Sequence, residues 1–497
     1  MSQHSRINIL VLTFASLISQ FIGYFYRIVL SRVVSPEVLG LYQLITPMYS
    51  LAHSTILVCV TIGVSTLSAA YFAAHDTESC ANLVKTAFTI FFSLFFVVSV
   101  LSVAFKDFIV VNILGDYRTR IGFLLLIPCL GFTAIENIIK HHFYGCGEVI
   151  IPSIVEIIEQ LSRFASVITL LTVFQDVSDE ARVGIIVLGM VICEIISSFI
   201  LIVFYRIKRR KHGNFSKTEA KKLLKLGFPI VGINLSGSLM SSLNSVMIPS
   251  RLTETGLTYS ESLSQFGLVF GVVSNLVTLP TFFVSSIGLL LGPKIARASS
   301  LNDCKSLKRL IEKGLAVTAF LMLPCCSLFL ILAPTVSQFL YGSEDIVKYM
   351  IPMCIISAIG GFCSIVSSML NGLKLQSRAA GNYIASGIIQ LVLTYILIPQ
   401  LGIYGYFIAS AVSSVFVLLS NLFCVLRHTG AWFRLFDTII VPLLSAILCG
   451  AVSNVLFTSI SSQGVNTILC VILTCLAAII TYLLTLKFQG YKIKSGS

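Results

Sequence analysis

The sequence predicts an all-α integral membrane protein with about 14 transmembrane helices. Hydrophobic residues make up 56% of the 497 residues and charged residues only 11%, whereas a soluble domain carries about 25% charged residues. Long apolar segments recur along the chain, each near or above the roughly 20 residues that cross a bilayer. Basic residues gather in every second connection between these segments, as expected for loops on one side of a membrane.

The predicted spans follow one another with short connections. They cover residues 7–31, 40–72, 82–105, 120–143, 151–174, 183–205, 226–249, 264–292, 312–333, 347–370, 380–399, 402–426, 438–458 and 464–487. The longest predicted connection, 206–225, leaves no room for a large extramembrane domain. The first segment has the length of a span and lacks a small-residue cleavage site, so we expect a span and not a cleaved signal peptide.

The net charge of +13 follows from membrane topology. The more basic set of connections includes the lysine- and arginine-rich run at 206–225, and this set is predicted to be cytoplasmic, together with both termini. The same run is expected to touch anionic membrane lipids. The sequence contains neither a basic nucleic-acid-binding motif nor a group of aromatic residues on which bases could stack, so no nucleic-acid partner is expected.

A weak internal repeat divides the chain. The pattern LGLY at 39–42 resembles FGLVF at 266–270, and FYG at 143–145 resembles LNG at 370–372, both at an offset of 227 residues. Six predicted spans separate equivalent positions, an even number, so the two halves share one orientation.

This repeat predicts two parallel six-helix lobes followed by two additional helices. The N-lobe covers 1–225, the C-lobe 226–430, and the last two spans with the tail 431–497. Two facing lobes enclose a cavity between them, an arrangement that suits alternating access.

Polar side chains within the predicted spans are the candidate site residues, because charge in hydrocarbon costs several kcal/mol unless it faces a cavity or a partner. The candidates that we expect to line a binding cavity are Arg27, Arg32, Glu136, Glu156, Glu159, Arg163 and Asn244. Spacing of i, i+3 and i+7 places Glu156, Glu159 and Arg163 on one helix face, with Glu159 and Arg163 able to pair. This group is either a structural ion pair or a cavity lining that contacts substrate or couples protons.

The two arginines of the first span have two interpretations. A guanidinium matches phosphate with two parallel hydrogen bonds, so Arg27 and Arg32 are candidates for anion recognition. Alternatively, they extend to the lipid headgroups. Asn244 is one of many small or polar residues in the seventh span, which serve either close helix packing or cavity lining.

Several classes of function are not indicated. The sequence contains no GxxxxGK[ST] phosphate loop, no nucleophile elbow and no metal-ligand constellation, so we predict neither an enzyme, a cofactor nor a metal site. Most of the 14 cysteines lie inside predicted spans and are interpreted as packing residues. Energy for transport would come from an ion gradient, the membrane potential or another enzyme.

Four segments carry a family resemblance. They are IGYFYRIVLSRVVSPEVLGLYQLITPMYSL (22–51), FYGCGEVIIPSIVEIIEQLSR (143–163), GFPIVGINLSGSLMSSLNSVMIPSRL (227–252) and LGPKIARAS (291–299). Together they resemble the stage V sporulation protein B-like polysaccharide export proteins of the multidrug/oligosaccharidyl-lipid/polysaccharide exporter superfamily.

The resemblance implies a fourteen-helix, two-lobe fold in the bacterial cytoplasmic membrane. It implies flipping of an undecaprenyl-pyrophosphate-linked glycan by alternating access, with basic cavity residues holding the pyrophosphate and Arg27 at the family's first-span arginine. The implied cargo is a peptidoglycan precursor for spore cortex or another polysaccharide repeat unit. Where the family commonly has Gly-Ile-Pro and a later Lys, this chain has residues 59–61 (CVT) and Thr66, which leaves the cargo open.

Two alternatives to a flippase follow from the same sequence. One is a cation-coupled multidrug exporter of the same fold, which Glu156 and Glu159 would suit. The other is a non-transporting scaffold that recruits envelope biosynthesis enzymes. Arginines in the cavity favour an anionic lipid cargo over cationic drugs.

Overall fold

The computed structural model describes residues 3–208, 213–342, 346–430, 436–463 and 466–488. Within these ranges the chain is almost entirely helical and contains no strand. The all-α prediction is therefore confirmed. The chain folds into two compact units, Met1–Gly271 and Val272–Ser497.

The first unit is built from seven long helices. In its described part they are α1 (Gln3–Val33), α2 (Pro36–Ala73), α3 (Thr77–Ala104), α4 (Arg120–Gly145), α5 (Ile150–Val173), α6 (Asp179–Lys208) and α7 (Lys217–Leu252). A π-helical turn, His53–Leu57, interrupts α2, and short helical turns precede α4 and follow α7. Apolar side chains of α2, α3 and α4, with Phe91 fully buried among them, form one core of this unit.

The second unit contains seven more long helices in its described part. They are α8 (Leu279–Ser300), α9 (Cys304–Tyr341), α10 (Val347–Gly372), α11 (Gln376–Leu401), α12 (Ile403–Thr429), α13 (Val441–Ser461) and α14 (Thr467–Phe488). One core among its described residues joins α8, α9 and α10 through residues such as Ile295, Met322 and Ile365.

Local sequence signals fix where several helices begin. Ser35 caps α2 by accepting a hydrogen bond from the Val38 N–H, with Pro36 in the first turn. Asp76 and Asp303 cap α3 and α9 in the same way, with oxygen-to-nitrogen distances of 2.9 and 3.0 Å. These caps satisfy N–H groups that have no partner within the helix.

The structure supports a many-span membrane protein. Among the described residues, 12 helices are long and apolar enough to cross a membrane. Two other predicted spans, 151–174 and 226–249, are also helical and lie in α5 and α7. Their sequences are more polar than those of the other spans, because α5 carries three charges and α7 many serines and asparagines.

One predicted span differs from the structure. The sequence predicts a continuous span over 264–292, but the chain there forms the short helix Tyr259–Phe266, the π-helical segment Gly267–Val273 and the turn Ser274–Val277 before α8 begins. A turn at Thr278 precedes α8, and Pro280 lies in the first turn of that helix, a position at which proline leaves no helical hydrogen bond unmade.

The division into compact units is not the division into lobes that the repeat predicts. The repeat places the lobe boundary at residue 225, whereas the first unit extends to Gly271. The physical reason is that α7 packs on α2: the Ser54 and Ser238 hydroxyls are 2.7 Å apart, and Ser242 donates to the Pro47 carbonyl. The lobe boundaries at 225 and 430 remain predictions.

Many large apolar side chains are exposed on the helix surfaces. Phe21, Phe96 and Leu289 are 76%, 69% and 78% exposed, and α13 and α14 show similar rows. A protein in water does not keep so much contiguous apolar surface uncovered. These faces are suited to contact with lipid chains.

Glycines of the repeat meet at one helix crossing. A Cβ on Gly40 would lie 2.2 Å from the Leu263 carbonyl oxygen, and one on Gly267 would lie 2.1 Å from the Pro36 carbonyl oxygen. Gly40 and Gly267 are equivalent positions of the repeat. The backbones of α2 and of the segment that begins at Gly267 therefore approach each other closely at this crossing.

Replacing Gly40 with Ala should lower the stability of the protein. The new methyl group would overlap the backbone carbonyl of Leu263, which has no rotamer to move into, and overpacking costs about 1–3 kcal/mol. The matched control is Gly232→Ala in α7, where nothing lies within 4 Å of the added Cβ. Thermal unfolding of the detergent-purified proteins checks this, and equal midpoints for both variants would contradict the close crossing.

Candidate functional site

The first unit contains a buried ion network shared by three helices. Its members are Glu136 and Lys140 on α4, Glu159 and Arg163 on α5, and Glu194 on α6. Glu136 and Lys140 are four residues apart, as are Glu159 and Arg163, so each pair lies on one helix face. Packing of α4 and α5 against α6 brings the pairs together.

Positive and negative groups alternate along the ion network. The Lys140 ammonium lies 2.5 Å from Glu136 Oε1 and 3.9 Å from Glu159 Oε2. The Arg163 guanidinium lies 2.7 Å from Glu159 Oε1 and 3.5 Å from Glu194 Oε1. Each cation therefore bridges two carboxylates on different helices, and the Ser197 hydroxyl also donates to Glu136.

The carboxylates are deeply buried. Glu136, Glu159 and Glu194 are 1%, 8% and 5% exposed. Desolvating an ion costs several kcal/mol, so each charge depends on the neighbours that replace its water. With all groups ionised, the network has three negative and two positive charges, an excess of one negative charge in a low-dielectric site.

Two atoms of the network are not satisfied by hydrogen bonds. Glu194 Oε2 and Arg163 Nε are buried and have no hydrogen-bond partner among the described residues. A proton bound to one carboxylate would cancel the excess negative charge of the network. Glu194 Oε2 is the carboxylate oxygen best placed to bind it, because it has no hydrogen bond to lose.

A metal ion is a poorer fit at this position. Ligand atoms of Glu159, Cys193 and Glu194 lie within 4.8 Å of one another. However, the Arg163 guanidinium is within 3.5 Å of both carboxylates and repels a metal cation. The donor set is thus better suited to proton exchange than to metal binding.

The structure brings three of the seven predicted site residues together in the ion network and places the other four outside it. Glu136, Glu159 and Arg163 meet in the ion network, and the predicted pairing of Glu159 with Arg163 occurs. Glu156 is half-buried one turn earlier on α5 and interacts electrostatically with Tyr144. Arg27 and Arg32 lie outside the network, exposed on α1.

Helix α1 places Arg27 beside the network through its contact with α5. The rings of Phe25 and Phe164 pack with centroids 5.8 Å apart, and Gly23 leaves room for the Gln160 side chain. Tyr26, between these contacts, interacts electrostatically with both Arg163 and Arg27. The exposed guanidinium of Arg27 is therefore near the buried charges without being one of them.

Asn244 occupies a separate position. It lies on α7 with its Oδ1 buried and without a hydrogen-bond partner among the described residues. It makes no described contact with the ion network. A role in binding remains a prediction for this residue.

Sequence reasoning did not select two members of the ion network. The charge pattern places Lys140 with the cytoplasmic connections, yet it lies within the last turns of α4 and is only 12% exposed. Glu194 is a single charge in an otherwise apolar span. The i, i+4 spacing of Glu136 and Lys140 could have identified Lys140 from the sequence. Glu194 could be identified only from the way α6 packs against α4 and α5.

Replacing Arg163 with Ala should destabilise the protein by roughly 3–5 kcal/mol, because it leaves Glu159 and Glu194 as buried charges without their shared cation. The control Arg182→Ala removes a partly exposed pair with Asp179 at 3.9 Å and should cost less than about 1 kcal/mol. Denaturant unfolding in mixed micelles measures both. Equal small losses would show that the buried pairs contribute no more than surface pairs.

The sequence of this chain is similar to one family model and to two sporulation proteins. The family model "Polysaccharide biosynthesis protein" matches residues 5–257. Stage V sporulation protein B of Bacillus subtilis (strain 168) is 23% identical over 92% of this chain and 90% of its own length. Sporulation protein YkvU of the same organism is 20% identical over 84% of this chain and 93% of its own length.

Solved structures share the fold. The lipid II flippase MurJ in an inward closed conformation has a TM-score of 0.73 and 17% identity, covering 96% of this chain and 98% of that one. An inward-facing multidrug resistance transporter of the MATE family and MOP superfamily has a TM-score of 0.68 and 14% identity, covering 86% of this chain and all of that one. The expected fold, which is that of these transporter structures, is confirmed.

The family model alone spans half of the chain, and it includes every helix that contributes to the ion network. The chain belongs to the polysaccharide biosynthesis protein family.

Proposed function

We propose that this protein is a flippase that moves an undecaprenyl-pyrophosphate-linked glycan across the bacterial cytoplasmic membrane by alternating access. The observation that carries the proposal is the alternating ion network at membrane depth in α4, α5 and α6. Ionisable groups placed there are costly and mark transport pathways and proton relays. Family membership and the fold shared with a lipid II flippase support a lipid-linked cargo.

The cargo's pyrophosphate is proposed to bind at the arginines of α1. Arg27 and Arg32 are exposed, five residues apart on one helix, and a guanidinium can bind phosphate oxygens in a bidentate manner. Of the two, Arg27 is linked to the ion network, because Tyr26 interacts electrostatically with both Arg27 and Arg163 next to the α1–α5 contact. The buried network has an excess of negative charge, so it does not attract the pyrophosphate. The arginines of α1 are therefore the proposed groups that bind it.

The ion network itself is proposed to couple transport to protons. Its three carboxylates and two cations leave room for one exchangeable proton, held at Glu194 Oε2 where no hydrogen bond forms among the described residues. Uptake of that proton would neutralise the network and relax the attraction between α5 and α6. In this proposal a proton gradient changes the packing of α5 and α6, and transport needs no nucleotide hydrolysis.

The proposed setting is the bacterial cytoplasmic membrane with both termini in the cytoplasm. The bias of Lys and Arg toward alternate connections supports this orientation. The curated relatives are sporulation proteins, which supports a peptidoglycan precursor for spore cortex as the cargo, with another polysaccharide repeat unit as the alternative. Envelope biosynthesis enzymes are the proposed partners.

A cation-coupled multidrug exporter is the second candidate. It is favoured by the excess carboxylate of the ion network and by the fold shared with a multidrug transporter. The position of the arginines discriminates between the two, since an exposed guanidinium beside the site repels a cationic drug and attracts a phosphate.

The Arg27→Ala variant should lose translocation of a lipid-linked peptidoglycan precursor by about tenfold or more, and Arg27→Lys should recover only part of it, because an ammonium cannot form the bidentate contact. Arg182→Ala, a surface variant in the same unit, should translocate normally. The measurement is accessibility of the labelled precursor in proteoliposomes. Normal rates for a well-folded Arg27→Ala protein would refute the pyrophosphate role.

The proposed orientation predicts that Cys304 lies on the cytoplasmic side of the membrane. In a variant whose other cysteines are replaced, the exposed Cys304 at the start of α9 should react in intact cells only with a membrane-permeant maleimide. A Cys placed at the exposed Gln175, in the connection between α5 and α6, should react with an impermeant maleimide as well. The opposite labelling pattern would invert the topology.

A further inference from the structure

A hydroxyl group of α2 connects this helix to the ion network, whose charged members lie on α4, α5 and α6. The Tyr49 hydroxyl lies 2.8 Å from the Thr133 hydroxyl of α4. Thr133 is only 6% exposed and is close enough to the Glu194 carboxylate of α6 to form a hydrogen bond with it. Tyr49 itself interacts electrostatically with Glu194 and with Arg163. Two hydroxyl groups therefore link α2 to the carboxylate that is proposed to bind the exchangeable proton.

The direction of the hydrogen bonds along this link follows from the number of hydrogens. A hydroxyl group has one hydrogen to donate and two lone pairs that accept. The Thr133 hydroxyl donates to the backbone carbonyl of Cys129 at 2.9 Å, so the Tyr49 hydroxyl is the donor in the bond that it shares with Thr133. No hydrogen of Thr133 is then left for Glu194, whose Oε2 has no hydrogen-bond partner among the described residues.

The charge of Glu194 determines which acceptor receives the Thr133 hydrogen. An ionised carboxylate only accepts hydrogen bonds, and bonds to a charged group are about twice as strong as bonds between neutral groups. An ionised Glu194 therefore attracts the Thr133 hydrogen away from the Cys129 carbonyl. Tyr49, Thr133 and Glu194 then form one chain in which each hydrogen bond polarises and strengthens the next. When Glu194 is protonated, the Thr133 hydrogen returns to the carbonyl and the chain is broken.

Tyr49 lies close to the point where the helical geometry of α2 changes. The π-helical turn His53–Leu57 begins four residues after it, and the rings of Tyr49 and His53 have centroids 6.1 Å apart. Such turns occur frequently at functional sites. Within this turn, the Ser54 hydroxyl lies 2.7 Å from the Ser238 hydroxyl of α7. A change in the hydrogen bonds of Tyr49 therefore acts next to the part of α2 that contacts α7.

Other ionisable groups also face Glu194, and they come from four helices. The Arg163 guanidinium of α5 lies 3.5 Å from Glu194 Oε1. The groups that interact with Glu194 electrostatically are, besides Arg163, Glu136 and Cys129 of α4, Glu159 of α5, Cys193 of α6 and Tyr49 of α2. Tyr49 is the member of this set that lies on α2, so it is the group through which Glu194 can act on that helix.

We propose that Tyr49 and Thr133 are positioning residues for proton exchange at Glu194, and that they pass the change in its charge to α2. The exchanged proton belongs to Glu194. The Thr133 hydrogen only changes its acceptor, so no covalent bond of either hydroxyl is broken. This inference rests on the proposed proton coupling of the ion network, and it adds a route from that network to the contact between α2 and α7.

The first test follows the protonation of Glu194 by infrared spectroscopy of the full-length protein in detergent over a range of pH. A carboxyl C=O band that is absent in Glu194→Gln reports this residue. Thr133→Val removes the donor to ionised Glu194 and keeps the branched shape, so it should move the titration midpoint upward by about one pH unit. Tyr49→Phe should move the midpoint in the same direction by less, because it only weakens the chain.

Tyr42→Phe is the matched control for Tyr49→Phe. Tyr42 also lies on α2, and its hydroxyl donates to the sulfur of Met190 on α6 at 3.3 Å. This variant likewise removes a hydroxyl contact between α2 and α6, but it should leave the titration midpoint of Glu194 unchanged. A shift in Tyr42→Phe as large as that in Tyr49→Phe would reduce the effect to a general loosening of α2 and would overturn the proposal.

The second test follows the effect on α2 by hydrogen exchange of the peptide that contains residues 53–57. Glu194→Gln imitates the protonated carboxyl group and should change the exchange rate of this peptide by about threefold or more. The same substitution made in the Tyr49→Phe protein should have no such effect, because the link to α2 is already cut. An equal change in both backgrounds would show that Tyr49 does not carry the effect.

Failure of this inference is distinguishable from failure of the proposed function. If no band of Glu194 titrates in the unmodified protein, the proposed proton coupling is wrong and the roles of Tyr49 and Thr133 are overturned with it. If Glu194 titrates but its midpoint is the same in Thr133→Val and Tyr49→Phe as in the unmodified protein, only the roles of these two residues are overturned.

Discussion

Three buried carboxylates and two partly buried cations lie together in the first unit, and the packing of its helices has to accommodate them. These five charged groups belong to α4, α5 and α6 and depend on one another, because burial removes much of their water. Lys140 joins α4 to Glu159 of α5, and Arg163 joins α5 to Glu194 of α6, so ion pairing as well as apolar packing sets the relative position of these three helices. Such a site is costly to keep in a bundle that apolar residues could have filled, which is why we interpret it functionally.

The same constraint connects the buried network to an exposed recognition surface. Helix α1 packs against α5 through Phe25 and Phe164, and this contact sets Arg27 at the surface beside the network. A change in the charge of the network would alter the helices against which α1 rests. In the proposed mechanism, protonation inside the unit and cargo binding at its surface therefore act on one group of helices.

The membrane fold was predictable from sequence because its signals are local. Span length, apolar composition and caps such as Ser35 and Asp76 each act within a few residues, and they located nearly all helices. The break before α8 was missed because the apolar run continues through Pro280 without a change in composition. The packing of α7 against α2, which joins α7 to the first unit, is revealed by no local pattern. The candidate site was predictable only in part, for the same reason.

Within that site, the sequence predicted contacts between residues of one helix but not contacts between residues of different helices. Glu159 and Arg163 pair within one helix, so their spacing indicated the contact. Glu194 and Lys140 contact them from neighbouring helices. Such contacts depend on how whole helices pack, which periodicity within one segment cannot determine.

An anionic lipid-linked cargo is best tested with two lipids that share a polyprenyl tail and a glycan but differ in the linkage. One has the natural pyrophosphate and the other a neutral linkage, and both are offered to the purified protein in proteoliposomes. We expect translocation of the pyrophosphate lipid alone. Equal translocation of both lipids, or transport of a cationic dye with neither lipid moved, would contradict recognition of the pyrophosphate.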